Sequence, residues 1–281
     1  MSQDYAKANS KPLMITIAGS DSSAGAGIQA DLKAGLMLGA YPLTVLSCAT
    51  AQVPGNVAGI APLPASFVAQ QLELCLRHYP VGAIKTGMLY SSEIIEALAD
   101  VLEEHAQGIP LVIDPVMIAT SSQSLMQDGA LSHYRSRLFP MASLITPNKD
   151  ELCALTRRFD IDSAEGMLEA ARELALDLGC AVLAKGGHLE GNSCVDSLVL
   201  ANGENRSWQH ARVEGVSTHG TGCTLSAAVT ALLAQGCDLW QAVEGGLNYV
   251  KQAISSSYLW THHCAMEALA SPFPVADSLD N

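Results

Sequence analysis

The segment Ser217-Thr218-His219-Gly220-Thr221-Gly222-Cys223-Thr224-Leu225-Ser226 holds residue types that could handle a moving charge. Glycines on either side of Thr221 let the backbone turn tightly, with N–H groups free to face a ligand. Leu225, Ala228, Val229, Leu232 and Leu233 then recur at helical spacing, and Gly236 supplies a stop. The pattern predicts a helix that begins at the glycines. A helix start concentrates unpaired donors and the positive end of the dipole, which suits a phosphate or a developing anion. Cys223 sits in that field, which favours its thiolate; the alternative is a small buried thiol in a flexible turn. His219 beside Cys223 invites a cysteine-hydrolase pair, but it lies on the same turn and the sequence offers no third group to orient it.

Other candidates follow short apolar runs, where strands of an α/β sheet end and ligands collect. Asn148 and Glu151 open a predicted helix and could share a hydrated Mg²⁺, or Glu151 could be the N3 carboxylate of a capping box. Lys185, before Gly186 and Gly187, suits a phosphate clamp, or is a solvated strand end. Asp114 before Pro115 is a turn former or a carboxylate near a metal. Met88 is core, or the apolar face against a flat ring. Gln52 also falls among these strand-end positions. Gly25 and Gly27 with Ala30 formally match a dinucleotide fingerprint; the long loop and the lack of an acidic residue after the next strand argue against it. There is no G-x-x-x-x-G-K-[ST] loop and no G-x-S-x-G elbow, which disfavours P-loop and α/β-hydrolase readings.

These residues need elements to hold them. Strands are expected at Leu13–Ala18, Leu43–Cys48, Val81–Lys85, Pro110–Ile113, Ala142–Ile145 and Cys180–Ala184. Helices alternate with them at about 28–38, 66–78 (N-cap Ser66), 92–105, 128–138 and 163–178, with another starting at Asn148. The stretch 49–64 reads as a loop and Thr120–Gln127 as a flexible flap. Val195–Ala201 and Arg206–Val213 flank Asn202-Gly203, a hairpin signal. A last helix is expected near Leu239–Ser256. The alternation predicts a three-layer αβα sandwich with a mainly parallel sheet, one domain over 11–260 and a weakly ordered tail over 261–281.

Composition narrows the function. The net charge of −13 argues against nonspecific binding to nucleic acid or acidic membranes. No apolar run is long enough to span a bilayer, and the polar start of the chain is not a signal peptide. The eight scattered cysteines lack zinc-ligand spacing and read as reduced thiols of a cytoplasmic protein.

Six motifs together carry a resemblance. They are Ile17 to Lys33 (IAGSDSSAGAGIQADLK), Lys85-Thr86-Gly87-Met88-Leu89, Asp114-Pro115-Val116-Met117, Ile145-Thr146-Pro147-Asn148, Lys185-Gly186-Gly187-His188 and Thr218 to Ser226. In this order, over about Met14 to Ser256, the sequence resembles the hydroxymethylpyrimidine/phosphomethylpyrimidine kinases of thiamine biosynthesis, within the ribokinase-like superfamily. The resemblance implies a ribokinase-like fold and MgATP-dependent phosphorylation of 4-amino-5-hydroxymethyl-2-methylpyrimidine and then of its monophosphate. Pyridoxal kinase of the same superfamily, or a non-catalytic ligand-binding relative, is the alternative.

By the same resemblance Cys223 matches the catalytic base, and Gly220, Thr221 and Gly222 match the anion hole. Asn148 and Glu151 match the Asn-x-x-Glu motif that orders Mg²⁺ and phosphates. Asp114 and Lys185 match residues on the nucleotide and metal side. Gln52, Gly19, Asp31, Met88 and Val116 match positions lining the pyrimidine pocket. The implied partners are the aminopyrimidine and ATP, with a homodimer as the usual assembly. The sequence departs from the family pattern at Ser22, Ala24, Val53-Pro54 and Thr120-Ser121-Ser122.

Overall fold

The run Leu13–Asp21 forms strand β1, with Met14 through Gly19 all buried. Burial on both faces is what a parallel strand covered by helices on each side requires. The computed structural model describes residues 11–117, 127, 129–159, 161–189, 191–213, 218–260 and 263–265. The further strands are β2 (Tyr41–Val53), β3 (Asn56–Pro62), β4 (Val81–Thr86), β5 (Leu111–Ile113), β6 (Leu144–Ile145), β7 (Ala181–Ala184), β8 (Ser193–Val199) and β9 (Asn205–Ala211). Among the described residues these make one nine-stranded sheet in the order β3-β2-β1-β4-β5-β6-β7-β8-β9. Strands β2, β1, β4, β5, β6 and β7 run parallel, while β3 at one edge and the β8–β9 hairpin at the other pair antiparallel with their neighbours.

Seven longer helices cover this sheet: α1 (Gly27–Met37), α2 (Ala65–His78), α3 (Ser92–His105), α4 (Lys149–Thr156), α5 (Ala164–Leu178), α6 (Thr221–Ala234) and α7 (Leu239–Ser255). The period of two decides which face each strand residue serves. Ile113, Ile145 and Val182 point into the core shared with α2, α3 and α5. Their neighbours Val112, Leu144 and Leu183 point the other way, against Leu225 and Val229 of α6 and Val243 of α7. The result is the expected three-layer αβα sandwich.

Local chemistry sets several boundaries. Ser91 caps α3 through the Ile94 N–H, and Ser163 caps α5 through the Gly166 N–H. Four expectations need correction. The stretch 49–64 is not a loop: β2 continues to Val53, turns at Gly55 (φ +80°) and returns as β3. Its alanine-rich, mostly exposed residues give no alternating signal. Helix α2 starts after Pro64 rather than at a Ser66 cap. The helix expected near 128–138 is a single turn, Ala130–His133, that widens into a π-helix over Tyr134–Leu138. The residues between β1 and α1 number fewer than expected, because β1 absorbs Gly19-Ser20-Asp21. The flap positions 118–126, and the tail apart from 263–265, lie outside the described residues. No helix among the described residues is long and apolar enough to cross a membrane.

Candidate active site

Because the central strands are parallel, the residues that follow them gather at one edge of the sheet. There a cavity of about 400 Å³ is bordered by Gln52 of β2, Asp114 and Val116 after β5, Asn148 and Glu151 at the start of α4, Lys185 after β7, and Gly220 to Cys223. Helix α6 opens directly onto it. Gly220 takes φ +82° as the cap residue and offers no side-chain hydrogen bond to the first turn. The Thr221 N–H turns back to the Thr218 carbonyl at 3.2 Å, and the other first-turn donors have no side-chain cap and stand with the dipole's positive end at the cavity border. Gly220 also has to be glycine for space, since a Cβ there would lie 1.8 Å from the Gly25 carbonyl oxygen. Cys223 stands at the third helical position, beside these donors.

A chain of alternating charges surrounds the thiol. Lys185 Nζ donates to Asp114 Oδ1 at 2.8 Å and stands 3.9 Å from Glu151 Oε2. Thr146 Oγ1 donates to the same Asp114 oxygen at 3.1 Å. Burial works against the Asp114 carboxylate, but Lys185 and Lys85 outweigh it and hold its pKa below the usual range. Glu151 goes the other way. Burial pushes it up to about 7, with Asp114 adding to the effect and Lys185 opposing it. Burial likewise pushes the Cys223 thiol up to about 11, against the pull of Lys85 and of the Gly27 backbone.

Several expected roles change with this geometry. The helix field does not leave Cys223 as a thiolate; loss of water around the sulfur is the larger effect. Asn148 and Glu151 form the full capping box, Asn148 Oδ1 accepting from the Glu151 N–H at 3.0 Å and Glu151 Oε2 from the Asn148 N–H at 2.8 Å. Both still border the cavity, so the cap and the cavity wall are one structure. Lys185 is ion-paired rather than solvated. Asp31 is the largest correction: it does not line the cavity but is fully buried, its carboxylate held by Lys85 Nζ at 2.7 and 2.8 Å and by Thr16 Oγ1 at 2.5 Å. Gly19 and Met88 are also absent from the lining. Met88 packs with Cys48 and Val57, with Val116 against that cluster, and a Cβ on Gly19 would meet Cys48 Sγ at 2.8 Å. Gln52 does face the cavity, and Ser22 fastens it by accepting from its N–H at 2.8 Å and donating to its carbonyl at 2.6 Å.

Two groups escaped the sequence reading. Lys85, at the end of β4, is fully buried; burial opposes its charge, but Asp31, Cys223 and Asp114 outweigh this and raise its pKa. A lysine closing an apolar strand next to a glycine turn looks like a surface residue, and only the fold reveals its partner 54 positions away. His219 does have an orienting group: its Nε2 lies 2.9 Å from Asp21 Oδ2. That partner is 198 positions away in sequence.

The donor set bears on a metal. Among the described residues no group of three or more His, Cys, Asp or Glu side chains is arranged to hold an ion. The cavity instead offers two carboxylates, Asp114 and Glu151, to an oxygen-seeking cation. That fits Mg²⁺, which keeps waters and phosphate oxygens as most of its ligands.

Comparison with known proteins identifies the family. The family model for phosphomethylpyrimidine kinase matches residues 21–266. A thiamine biosynthesis bifunctional protein of Geobacter sulfurreducens is 44% identical over 86% of this chain, which spans about half (49%) of that longer protein. A hydroxymethylpyrimidine/phosphomethylpyrimidine kinase of Streptomyces coelicolor is 41% identical, with 88% of this chain and 90% of the relative covered. The crystal structure of an ADP complex of Bacillus subtilis pyridoxal kinase superposes with a TM-score of 0.84 at 33% identity, covering 92% of this chain and 98% of that one. The fold is thus ribokinase-like, and the chain belongs to the phosphomethylpyrimidine kinase family.

Proposed function

We propose that the chain transfers the γ-phosphoryl group of ATP to the hydroxymethyl oxygen of 4-amino-5-hydroxymethyl-2-methylpyrimidine, and then a second one to the monophosphate. One observation carries the reading: the uncapped start of α6, with Cys223 in its first turn, opens on the same cavity as the Lys185–Asp114–Glu151 cluster. Phosphoryl transfer asks for positioning and charge neutralisation more than covalent chemistry. The N–H groups of Gly220 and Gly222, joined by that of Thr221 once it leaves the Thr218 carbonyl, receive the phosphoryl group in flight. Cys223 takes the proton from the acceptor hydroxyl. Only the thiolate can accept that proton, so the thiol, held up to about 11 by burial, first gives its own proton to water with Lys85 steadying the anion, and the rate should rise with pH.

Lys185 neutralises phosphate charge. Its displacement from Asp114 towards an incoming phosphate would free that carboxylate for the cation side. Mg²⁺, held by Glu151, Asp114 and water with Asn148 alongside, would supply charge neutralisation on the phosphate oxygens when bound. Gln52 reads the aminopyrimidine edge, and Val116, backed by Met88, gives the ring an apolar face. Gly19 leaves room for Cys48 Sγ and Met88 Sδ behind this wall, and Asp31 fixes the buried Lys85. We further assign the chain to the cytoplasm, as a single kinase domain over 11–260 acting as a homodimer.

A second reading, pyridoxal phosphorylation, is favoured by the close superposition on pyridoxal kinase and by the flat-ring hydroxymethyl group common to both acceptors. Competition between the two acceptors, each with MgATP, tests the choice. A higher kcat/KM for the pyrimidine supports the first reading, and a higher value for pyridoxal replaces it.

A further inference from the structure

The two glycine loops at the cavity touch, and one buried pair holds them together. Loop Ser22–Ala26 follows β1; the other, Thr218–Gly220, leads into α6. Asp21 is the hub of the first. Its Oδ1 accepts from the N–H and Oγ of Ser23, both at 2.8 Å, and its Oδ2 from the Ala26 N–H at 2.9 Å. These bonds hold a strained loop, in which Ala24 sits at φ 59°. The same Oδ2 is 2.9 Å from His219 Nε2, and both side chains are more than nine-tenths buried.

The contact beneath the pair has no slack. A Cβ on Gly25 would lie 2.7 Å from His219 Cδ2, and one on Gly220 would lie 1.8 Å from the Gly25 oxygen. His219 therefore packs directly on one loop at Gly25 while its own backbone leads into Gly220, the cap of α6. The adjoining Gly27 backbone is among the groups that pull the Cys223 pKa down against burial. Moving the first loop moves both that backbone and the seat of the anion hole.

We infer that Asp21 and His219 are positioning residues that lock the acceptor-side loop to the anion hole, so that hydroxyl, thiol and phosphoryl group meet in register. The inference rests on the kinase activity proposed above, and neither side chain needs to touch substrate. Misplacement of reacting groups by about 1 Å can cost roughly 100-fold in rate. His219→Ala should therefore lower kcat by roughly 100-fold while leaving the KM for ATP within about threefold, since Lys185 and Glu151 are untouched. His219→Gln can place an amide N–H near the Nε2 position and should recover most of the rate, whereas the shorter His219→Asn should not. Asp21→Ala, which also frees Ser23 and Ala26, should cost at least as much as His219→Ala, and adding His219→Ala to it should cost little more, because the pair acts as a unit.

A second readout needs no acceptor. Calorimetry of ADP with beryllium fluoride against ADP alone reports the anion hole. The wild type should gain affinity from the fluoride and His219→Ala should lose that gain, with ADP affinity unchanged. Wild-type kcat and an intact fluoride gain in folded His219→Ala would overturn the inference. So would equal losses in the Gln and Asn variants. A wild type that gains from fluoride, loses the gain on His219→Ala, and phosphorylates neither ring would overturn the proposed acceptors and leave the lock standing.

Discussion

Glu151 makes stability depend on pH in a direction opposite to most carboxylates. Its pKa stands at about 7 in the folded chain because burial, with Asp114 nearby, disfavours the anion more than Lys185 at 3.9 Å favours it. In the unfolded chain it returns to the ordinary glutamate value of 4.5. The folded state thus binds this proton more tightly than the unfolded state. The stability it contributes is fully present below about pH 4.5 and is lost as pH rises through about 7. At about 1.4 kcal/mol per pH unit, the ceiling on that loss is about 3 kcal/mol.

Glu151→Gln removes the titration but keeps an oxygen that can accept the Asn148 N–H of the capping box. Urea unfolding of both proteins at pH 5, 6, 7 and 8 isolates the effect, because other titrating groups cancel in the difference. The variant should match the wild type near pH 5 and gain on it steadily, reaching about 2–3 kcal/mol at pH 8. A difference that stays flat across this range, or that moves towards the wild type with rising pH, would refute the argument that burial dominates at Glu151.

Other outcomes follow from the same geometry. Cys223, with its thiol pushed up to about 11, should react with iodoacetamide at pH 8 roughly 100-fold more slowly than an ordinary exposed thiol, as mass spectrometry of the labelled peptide can report. Rapid labelling would mean the helix field wins over burial. Gly222→Ala places a Cβ 3.2 Å from Lys185 Nζ, the movable end of a side chain, so the melting temperature should hold while the KM for ATP rises. Gly220→Ala meets backbone at 1.8 Å with φ +82°, and should lower stability by at least about 1–3 kcal/mol in a thermal melt. Lys85→Ala leaves Asp31 buried and uncompensated, which should cost about 3–5 kcal/mol in urea unfolding; Lys85→Met with Asp31→Leu should recover most of it.

How much was legible in the sequence varies with the reach of the forces involved. Strands such as Ala181–Ala184 and helices such as Ala164–Leu178 announce themselves, because a local pattern of burial fixes them. The α6 start was legible for the same reason, glycines followed by an apolar stripe. Strand β3 was not, since its exposed residues carry no period and its partner β2 supplies most of the order. The π-helical turn at Tyr134–Leu138 has no sequence period that separates it from an α-helix. In the site, residues in glycine-bounded motifs stood out, whereas Asp31–Lys85 and Asp21–His219 depend on pairs that only the assembled sheet brings together. The ionisation of Cys223 and Glu151 was misjudged or missed because a dipole can be read from sequence and dehydration cannot.

The central claim is that Cys223 receives the proton of a hydroxymethyl group while the α6 amides hold the phosphoryl group. Mass spectrometry of products after incubating the pyrimidine alcohol with MgATP tests it most directly, with wild type beside Cys223→Ala. The account predicts a singly and then a doubly phosphorylated pyrimidine from the wild type. It predicts no phosphorylated product from the variant, although calorimetry shows that the variant still binds the alcohol. Product formation at the wild-type rate without the thiol would contradict it.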